Sequence, residues 1–367
     1  MTEKFATAEG TRRFAEKFKD AAAGHFREAQ GLTVSSIGVG TYLGNWDAAT
    51  DANYTNAIAR FVELGGNVLD TAANYRFQRS ERNIGKSLQI LGEKGFARDE
   101  LVICTKAGYL PFDGEPPRDV RAYFQENFVA KGIAAFDDLV GGSHCMTPGY
   151  LENQINQSLQ NMNVDALDVF YIHNPESQLS EVPQGAFEAR LARAFEKLEE
   201  LRAGGKLGFY GAATWNGFRV APSQNGYHSL EKMVNIARQI GGDAAHGFRF
   251  VQLPFNLAMP EALVLPNQQL EGQALSTLEA AANLGVTVVC SASILQGKLA
   301  RNLPANVRET LGENLGTDAL ASLQFVRSTP FVTTALVGMS RTVHVEENMR
   351  LARVEPVSQE TYGQLFS

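Results

Sequence analysis

The chain has 367 residues, 44% hydrophobic and 20% charged, with 34 Gly and 13 Pro, the balance of a globular protein long enough for a sizeable core. Forty Asp and Glu against 33 Lys and Arg leave a net charge of −7, which argues against a nucleic-acid or anionic-membrane surface. The three cysteines, Cys104, Cys145 and Cys290, have no paired short spacing, so neither a disulfide framework nor a structural zinc site is readable, and a reducing compartment is expected.

The first segment, MTEKFATAEGTRRFAEKFKD, carries charges every few residues without the apolar stretch of a signal peptide. No later run approaches the ~20 apolar residues that span a bilayer. A cytoplasmic protein is expected, with residues 1–31 as an N-terminal extension. From Ser35 onward, short β-prone runs alternate with segments of helical periodicity. The predicted strands are Ile37–Val39, Val68–Asp70, Leu101–Thr105, Leu167–Ile172, Leu207–Ala212, Phe250–Leu253, Val286–Cys290 and Ala335–Val337. Helices are predicted to begin near Asp51, Ser80, Pro148, Ala186, Ser229, Gly272, Thr317 and Arg341, several behind a residue suited to the N-cap. Leu-Gly-Gly at 64–66, Gly-Gly at 204–205 and Leu-Gly at 284–285 supply the helix stops.

Eight βα units in unbroken series favour an α/β fold of the closed (β/α)8 TIM-barrel kind, one domain over residues 32–355 with a tail at 356–367. Gly38-Val39-Gly40-Thr41-Tyr42-Leu43-Gly44 looks superficially like a Rossmann fingerprint. It misses the third glycine's spacing and lacks the acidic residue about 20 positions on, so it reads as a strand-to-loop turn. The stretch 107–147, with Glu115-Pro116-Pro117 and an amphipathic VRAYFQENFVAKG, leaves the C-terminal end of the third strand and is expected to form a lid or pocket wall.

Barrel chemistry sits where strands end, and there the chain carries Asp70, Lys106 and His173, with Tyr75 five residues beyond Asp70. Each alone has an ordinary explanation: a turn cap, a solvated lysine, a core histidine, a packed aromatic. A carboxylate, an amine, an imidazole and a phenol at one rim are harder to explain as coincidence. A metal site is not expected, because His144-Cys145 in the insertion has no partners at ligand spacing.

NVLDTAANY (67–75), VICTKAG (102–108), DVFYIHNPE (168–176), GKLGFYGAATWN (205–216), VQLPFNL (251–257), VVCSASILQGKL (288–299) and ALVGMSRTVHVEENM (335–349) resemble, in sequence and in order, the aldo-keto reductase family. The match runs from about Leu32 to Leu351. It implies Tyr75, Asp70, Lys106 and His173 as the catalytic four and a nicotinamide dinucleotide, usually NADPH, as cofactor. Hydride transfer to a carbonyl builds charge on its oxygen, which a nearby acid must protonate. Tyr75 is the expected acid, with Lys106 lowering the phenol's ordinary pKa of about 10. Asp70 would pair with Lys106, and His173 would hold the carbonyl oxygen.

The same resemblance lays the dinucleotide across the rim. Ser340 and Arg341 would take the 2′-phosphate, with His344, Glu347 and Asn348 following at the adenine end. Ser291, Leu295 and Gly297 would pass under the pyrophosphate. A helix start with a forked guanidinium suits a phosphate, so NADP(H) is preferred to NAD(H). Three departures stand out. Gly211-Ala212-Ala213-Thr214 replaces the family's common Gly-x-Ser-Asn, leaving Thr214 and Gln252 for the carboxamide. Ser291 occupies the position of the usual stacking aromatic, and Arg76-Phe77-Gln78-Arg79 makes the loop after Tyr75 two residues longer than usual. Tyr42, Trp46, Tyr109, Phe112 and Trp215 are expected around the substrate pocket.

These readings predict an oxidoreductase moving a hydride between NADP(H) and a small aldehyde, ketone or alcohol, with no nucleic-acid or membrane partner. Two alternatives stand beside it. One is a non-catalytic NADP(H) sensor or partner-binding protein on the same barrel; the other is an aldolase using Lys106 as a Schiff-base amine.

Overall fold

The eight predicted strands close into a parallel barrel in the computed structural model, which describes residues 3–366. Ahead of the barrel lie a helix, α1 (Ala8–Glu16), and an antiparallel hairpin, β1 (Phe26–Ala29) with β2 (Leu32–Ser35). The barrel strands are β3 (Ile37–Gly40), β4 (Val68–Asp70), β5 (Val102–Ala107), β6 (Leu167–His173), β7 (Leu207–Ala213) and β8 (Phe248–Pro254). After a second hairpin, β9 (Gln268–Leu270) with β10 (Gln273–Leu275), β11 (Thr287–Ser291) and β12 (Val332–Gly338) close the ring back onto β3.

The outer helices are α2 (Ala48–Glu63), α3 (Arg79–Glu93), α4 (Val120–Phe124), α5 (Pro148–Met162), α6 (Gln184–Ala203), α7 (Leu230–Gly241) and α8 (Glu261–Val264). They continue with α9 (Thr277–Asn283), α10 (Ala305–Gly312), α11 (Asp318–Ser328), α12 (Thr342–Asn348) and α13 (Gln359–Gly363). Side-chain oxygens fix several starts: Asp47 accepts from the Thr50 amide, Ser229 from Lys232 and Thr317 from Leu320. None of the described helices is long and apolar enough to cross a membrane.

Strand alternation decides what fills the barrel. Val68, Val102, Cys104, Val169, Tyr171, Phe250, Val289 and Leu336 form one inner cluster. Their neighbours Leu69, Ile103, Phe170, Ile172, Val251 and Val288 join the larger core under the helices. The next inward positions, two residues further along, are Asp70, Lys106, His173 and Gln252, so the two-residue period alone carries these polar groups to one mouth.

At the other end, Ala29, Leu32 and Val34 of the first hairpin join the inner cluster and plug the barrel. The Ala6 amide, from the segment ahead of α1, donates to Asp168 Oδ1 at 2.6 Å. The expected boundary between residues 31 and 32 therefore falls inside a hairpin turn, where Gln30 and Gly31 adopt φ of 52° and 81°. In the tail, Tyr362 of α13 is buried and stacks on Phe325 of α11 at 5.3 Å.

One predicted element differs. The helix expected near Gly272 begins at Thr277; Gly272, with φ of 80°, turns the β9–β10 hairpin instead. The insertion is a strap containing α4 and a following π-helical turn, Gln125–Val129. Its two ends meet in a neck, where Leu110 donates to the Ser143 carbonyl and Cys145 to that of Gly108, at 2.7 and 2.8 Å.

Candidate active site

Asp70 and His173 end β4 and β6, Lys106 is the last residue but one of β5 between them, and the three face one another across the mouth. Lys106, only 1% exposed, donates to Asp70 Oδ1 at 2.5 Å and to the Thr71 carbonyl at 2.7 Å. Gln252 Nε2 donates to the other carboxylate oxygen at 2.8 Å. Burial raises the Asp70 pKa above the ordinary carboxylate value, while Lys106 and Gln252 work against that rise. The Gln252 amide, expected to be available to a carboxamide, is thus committed through its nitrogen to Asp70.

Tyr75 reaches this pair from the turn after β4. Its ring centroid lies 5.3 Å from Lys106 Nζ, 5.8 Å from the His173 ring and 5.0 Å from the Tyr42 ring, both aromatic contacts being edge-on. The structure reverses the expected direction of its acidity. Burial first, then the Asp70 charge, pushes the phenol pKa up rather than down. The proton therefore stays on the phenol at neutral pH. His173 goes the other way: burial, reinforced by Lys106 and His144, holds its pKa well below the ordinary value and keeps the imidazole neutral. Its Nδ1 atom is buried without a partner.

The longer loop after Tyr75 folds as three successive left-handed residues, Arg76, Phe77 and Gln78, at φ of 47°, 56° and 67°. Non-glycine residues seldom adopt this conformation, and here buried polar contacts offset the strain. Arg76 is drawn inward to Asp51 Oδ1 (2.5 Å), Asn83 Oδ1 (2.8 Å) and the Asn45 carbonyl (2.8 Å). Arg79 pairs with the second oxygen of Asp51 at 2.8 Å. Both cations thus face Asp51, and the wall this loop adds to the rim is aromatic: Phe77 packs on Trp46 at 5.1 Å and on Phe112 at 6.1 Å. Tyr42, Trp46 and Trp215 stand 55%, 51% and 42% exposed around the same mouth.

The segments expected to hold a cofactor ring the opening. Thr214 follows β7, with its hydroxyl buried and unpartnered. Ser291 ends β11, and Leu295 and Gly297 lie on the 3-10 turn behind it. Arg341 is the N-cap of α12 and is exposed with His344, whereas Ser340 and Glu347 are half-buried and Asn348 is buried.

Two residues of this mouth escaped the sequence reading. Glu176, in the turn after β6, is largely enclosed, and this desolvation raises its pKa. Its Oε1 accepts the amides of Trp215 (2.6 Å) and Asn216 (2.9 Å), fixing the loop that carries Trp215. His144, from the insertion, lies against the His173 carbonyl at 2.7 Å. Sequence reading weighed it only as a metal ligand. Its partners come from residues 173 and 178, too far along the chain for any local pattern to reveal.

The chain is similar to known proteins in sequence and in fold. A norsolorinic acid reductase of Emericella nidulans is 26% identical over 352 residues, covering 90% of this chain and 78% of its own. A Schizosaccharomyces pombe protein, a candidate voltage-gated potassium channel subunit beta, is 22% identical over 345 residues, covering 89% and 86%. An aldo/keto reductase from Klebsiella pneumoniae, solved with NADP and acetate, superimposes with a TM-score of 0.62 at 17% identity over 94% of each chain. The sequence profile of the Aldo/keto reductase family matches residues 36–367, from the first barrel strand through the last helices. With a closed eight-stranded barrel and a profile match over nearly its whole length, the chain belongs to the aldo/keto reductase family of oxidoreductases.

Proposed function

We propose that the protein is an NADPH-dependent carbonyl reductase, working reversibly on the corresponding alcohols, with Tyr75 as the general acid. The observation that carries this reading is the convergence of a protonated phenol, a carboxylate-held ammonium and a neutral imidazole at one mouth of the barrel. A bound nicotinamide of this kind supplies hydride-transfer chemistry. The chain's own groups manage the charge. Tyr75 keeps its proton in the resting site and gives it to the carbonyl oxygen as charge develops there. Lys106, anchored by Asp70 and the Thr71 carbonyl, stands beside the ring as the cation that favours the nascent phenolate. Neutral His173 offers an N–H to the same oxygen. Because Nδ1 is enclosed and unpartnered, the nitrogen assigned to that task is Nε2.

The residues at the rim suit a nicotinamide dinucleotide. Thr214 presents a buried hydroxyl without a partner, of the kind a carboxamide satisfies, and Gln252 retains its carbonyl oxygen. Arg341 presents an exposed guanidinium at the start of α12, where Ser340 adds a hydroxyl for a 2′-phosphate. His344, Glu347 and Asn348 follow on the adenine side, and Ser291, Leu295 and Gly297 lie along the path between. Trp46, Tyr109 and Trp215 frame the substrate.

The Schiff-base alternative is disfavoured, because the Lys106 amine is enclosed and donates to Asp70 and to the Thr71 carbonyl. The non-catalytic reading draws support from the altered positions Ala213, Thr214 and Ser291. One experiment separates it from catalysis. Tyr75→Phe should lower carbonyl reduction by ~10²–10⁴ while NADPH fluorescence titration stays near that of the unaltered protein. Equal turnover by the two proteins would remove Tyr75 as the acid. Cofactor binding without turnover of any aldehyde, ketone or alcohol would favour the sensor.

A further inference from the structure

The insertion is tied to the mouth by a hydrogen-bond chain whose direction can be worked out atom by atom. Arg190, on α6, can only donate, and it bonds Gln178 Oε1. That contact fixes the orientation of the Gln178 amide and turns its NH2 toward His144 Nδ1, 2.8 Å away. An amide NH2 has no lone pair to offer, so Nδ1 must accept. The ring proton therefore sits on Nε2, which donates to the His173 carbonyl at 2.7 Å. A second proton on His144 would set an N–H against the Gln178 NH2, and burial acts in the same sense, holding the His144 pKa down to about 4.

Two further observations show how tightly this contact is enclosed. A Cβ on Gly108 would lie 2.7 Å from both His144 Nε2 and the His173 oxygen, so only glycine lets the neck of the insertion close over the bond. Tyr109, the next residue, stands edge-on to both imidazoles with centroids 5.2 Å from each. Its hydroxyl is held by Ser177 and Asn174 at 3.0 and 3.1 Å.

We propose that His144 is a positioning residue for the carbonyl chemistry: through the Arg190–Gln178–His144–His173 chain, the insertion clamps the end of β6 and sets where the His173 imidazole stands. This rests on the reading of His173 given above, and His144 acts on it through the main chain.

Three variants test the clamp, with 4-nitrobenzaldehyde and NADPH as probes. His144→Phe fills the space without the donor and should lower kcat by roughly 10–100-fold, the scale expected when a reacting group is misplaced by about an ångström. NADPH affinity, read by fluorescence, should stay within about twofold. His144→Gln places an amide N–H near the position of Nε2, within reach of the His173 carbonyl, and should recover most of the loss. Gly108→Ala leaves His144 in place but wedges the bond apart, so it should reproduce the His144→Phe signature even if that variant folds poorly. Wild-type kcat in His144→Phe, or no recovery in His144→Gln, would overturn the clamp. A readout independent of turnover is the imidazole ¹⁵N spectrum of the unaltered protein, in which His144 should show a protonated Nε2 and a bare Nδ1. The opposite tautomer would overturn the clamp whatever the activity. Failure of the reductase reading would show separately, as unaltered turnover in Tyr75→Phe.

Discussion

Each end of the barrel holds a buried carboxylate, and the two are used differently. Asp168, near the start of β6, accepts the backbone amides of Ala6 and Ile103 at 2.6 and 2.7 Å and the Arg98 guanidinium at 2.9 Å. It ties the segment ahead of α1, strand β5 and the turn before β5 into one floor. The Asp70 carboxylate, at the end of β4, accepts no backbone amide among the described residues; its partners are the side chains of Lys106 and Gln252. Burial raises both carboxyl pKa values against the pull of a cation. One carboxylate holds main chain in place, and the other holds an ammonium beside a phenol. The floor is thus built to hold the barrel together and the mouth to present reactive groups.

The largest effect that would sharpen this contrast is expected at Lys106. Lys106→Met removes the cation beside Tyr75 and leaves Asp70 buried without its counter-charge, so activity should fall by ~10²–10⁴ and stability by about 3–5 kcal/mol. The double variant Lys106→Met with Asp70→Asn removes the orphaned charge as well. It should regain most of the stability, measured by urea unfolding, and none of the activity. Recovery of turnover in the double variant would break the contrast, because the pair would then be serving only the fold.

The reciprocal substitution belongs to the floor. Asp168→Ala strands the Ala6 and Ile103 amides and the Arg98 guanidinium, at a cost of about 3–5 kcal/mol. The kcat per folded molecule, measured well below the lowered melting temperature, should remain that of the unaltered protein. A selective loss of kcat would mean that the floor reaches the mouth through β6, whose other end is His173.

What the sequence made legible follows the same division. The strands and the rim residues were readable because both obey one period: a strand that buries Val68 also turns Asp70 inward, and one that buries Val102 and Cys104 delivers Lys106. The start of α9 was missed because Gln268–Leu270 and Gln273–Leu275 are too short and polar to signal strands. A usable cue was nonetheless present in Ser276 and Glu279, which form a capping box in the structure. The left-handed run at Arg76, Phe77 and Gln78 contains no glycine and is held by contacts to Asn83 on the following helix and to Asn45 and Asp51, which lie well back along the chain. His144 belongs with it: its role depends on His173, Gln178 and Arg190, which only the closed barrel brings near. The direction of the Tyr75 pKa was misjudged for a related reason. Proximity to a lysine is readable in the sequence, but the burial of the phenol, with the Asp70 charge beside it, outweighs that proximity.

The smallest expected effect concerns the edge of the mouth, where charge is exposed rather than buried. Arg341 caps the start of α12 with its side chain in solvent, bound to no carboxylate among the described residues. Its removal should leave folding untouched, since surface cations contribute little to stability. If it meets a 2′-phosphate, Arg341→Ala should weaken NADPH roughly tenfold, about 1.4 kcal/mol, while NADH changes by less than about twofold. Paired titrations with the two cofactors check this, because NADH lacks only the phosphate. Equal weakening of both would assign Arg341 to a part of the dinucleotide they share, and an unchanged NADPH affinity would move the phosphate elsewhere on the rim.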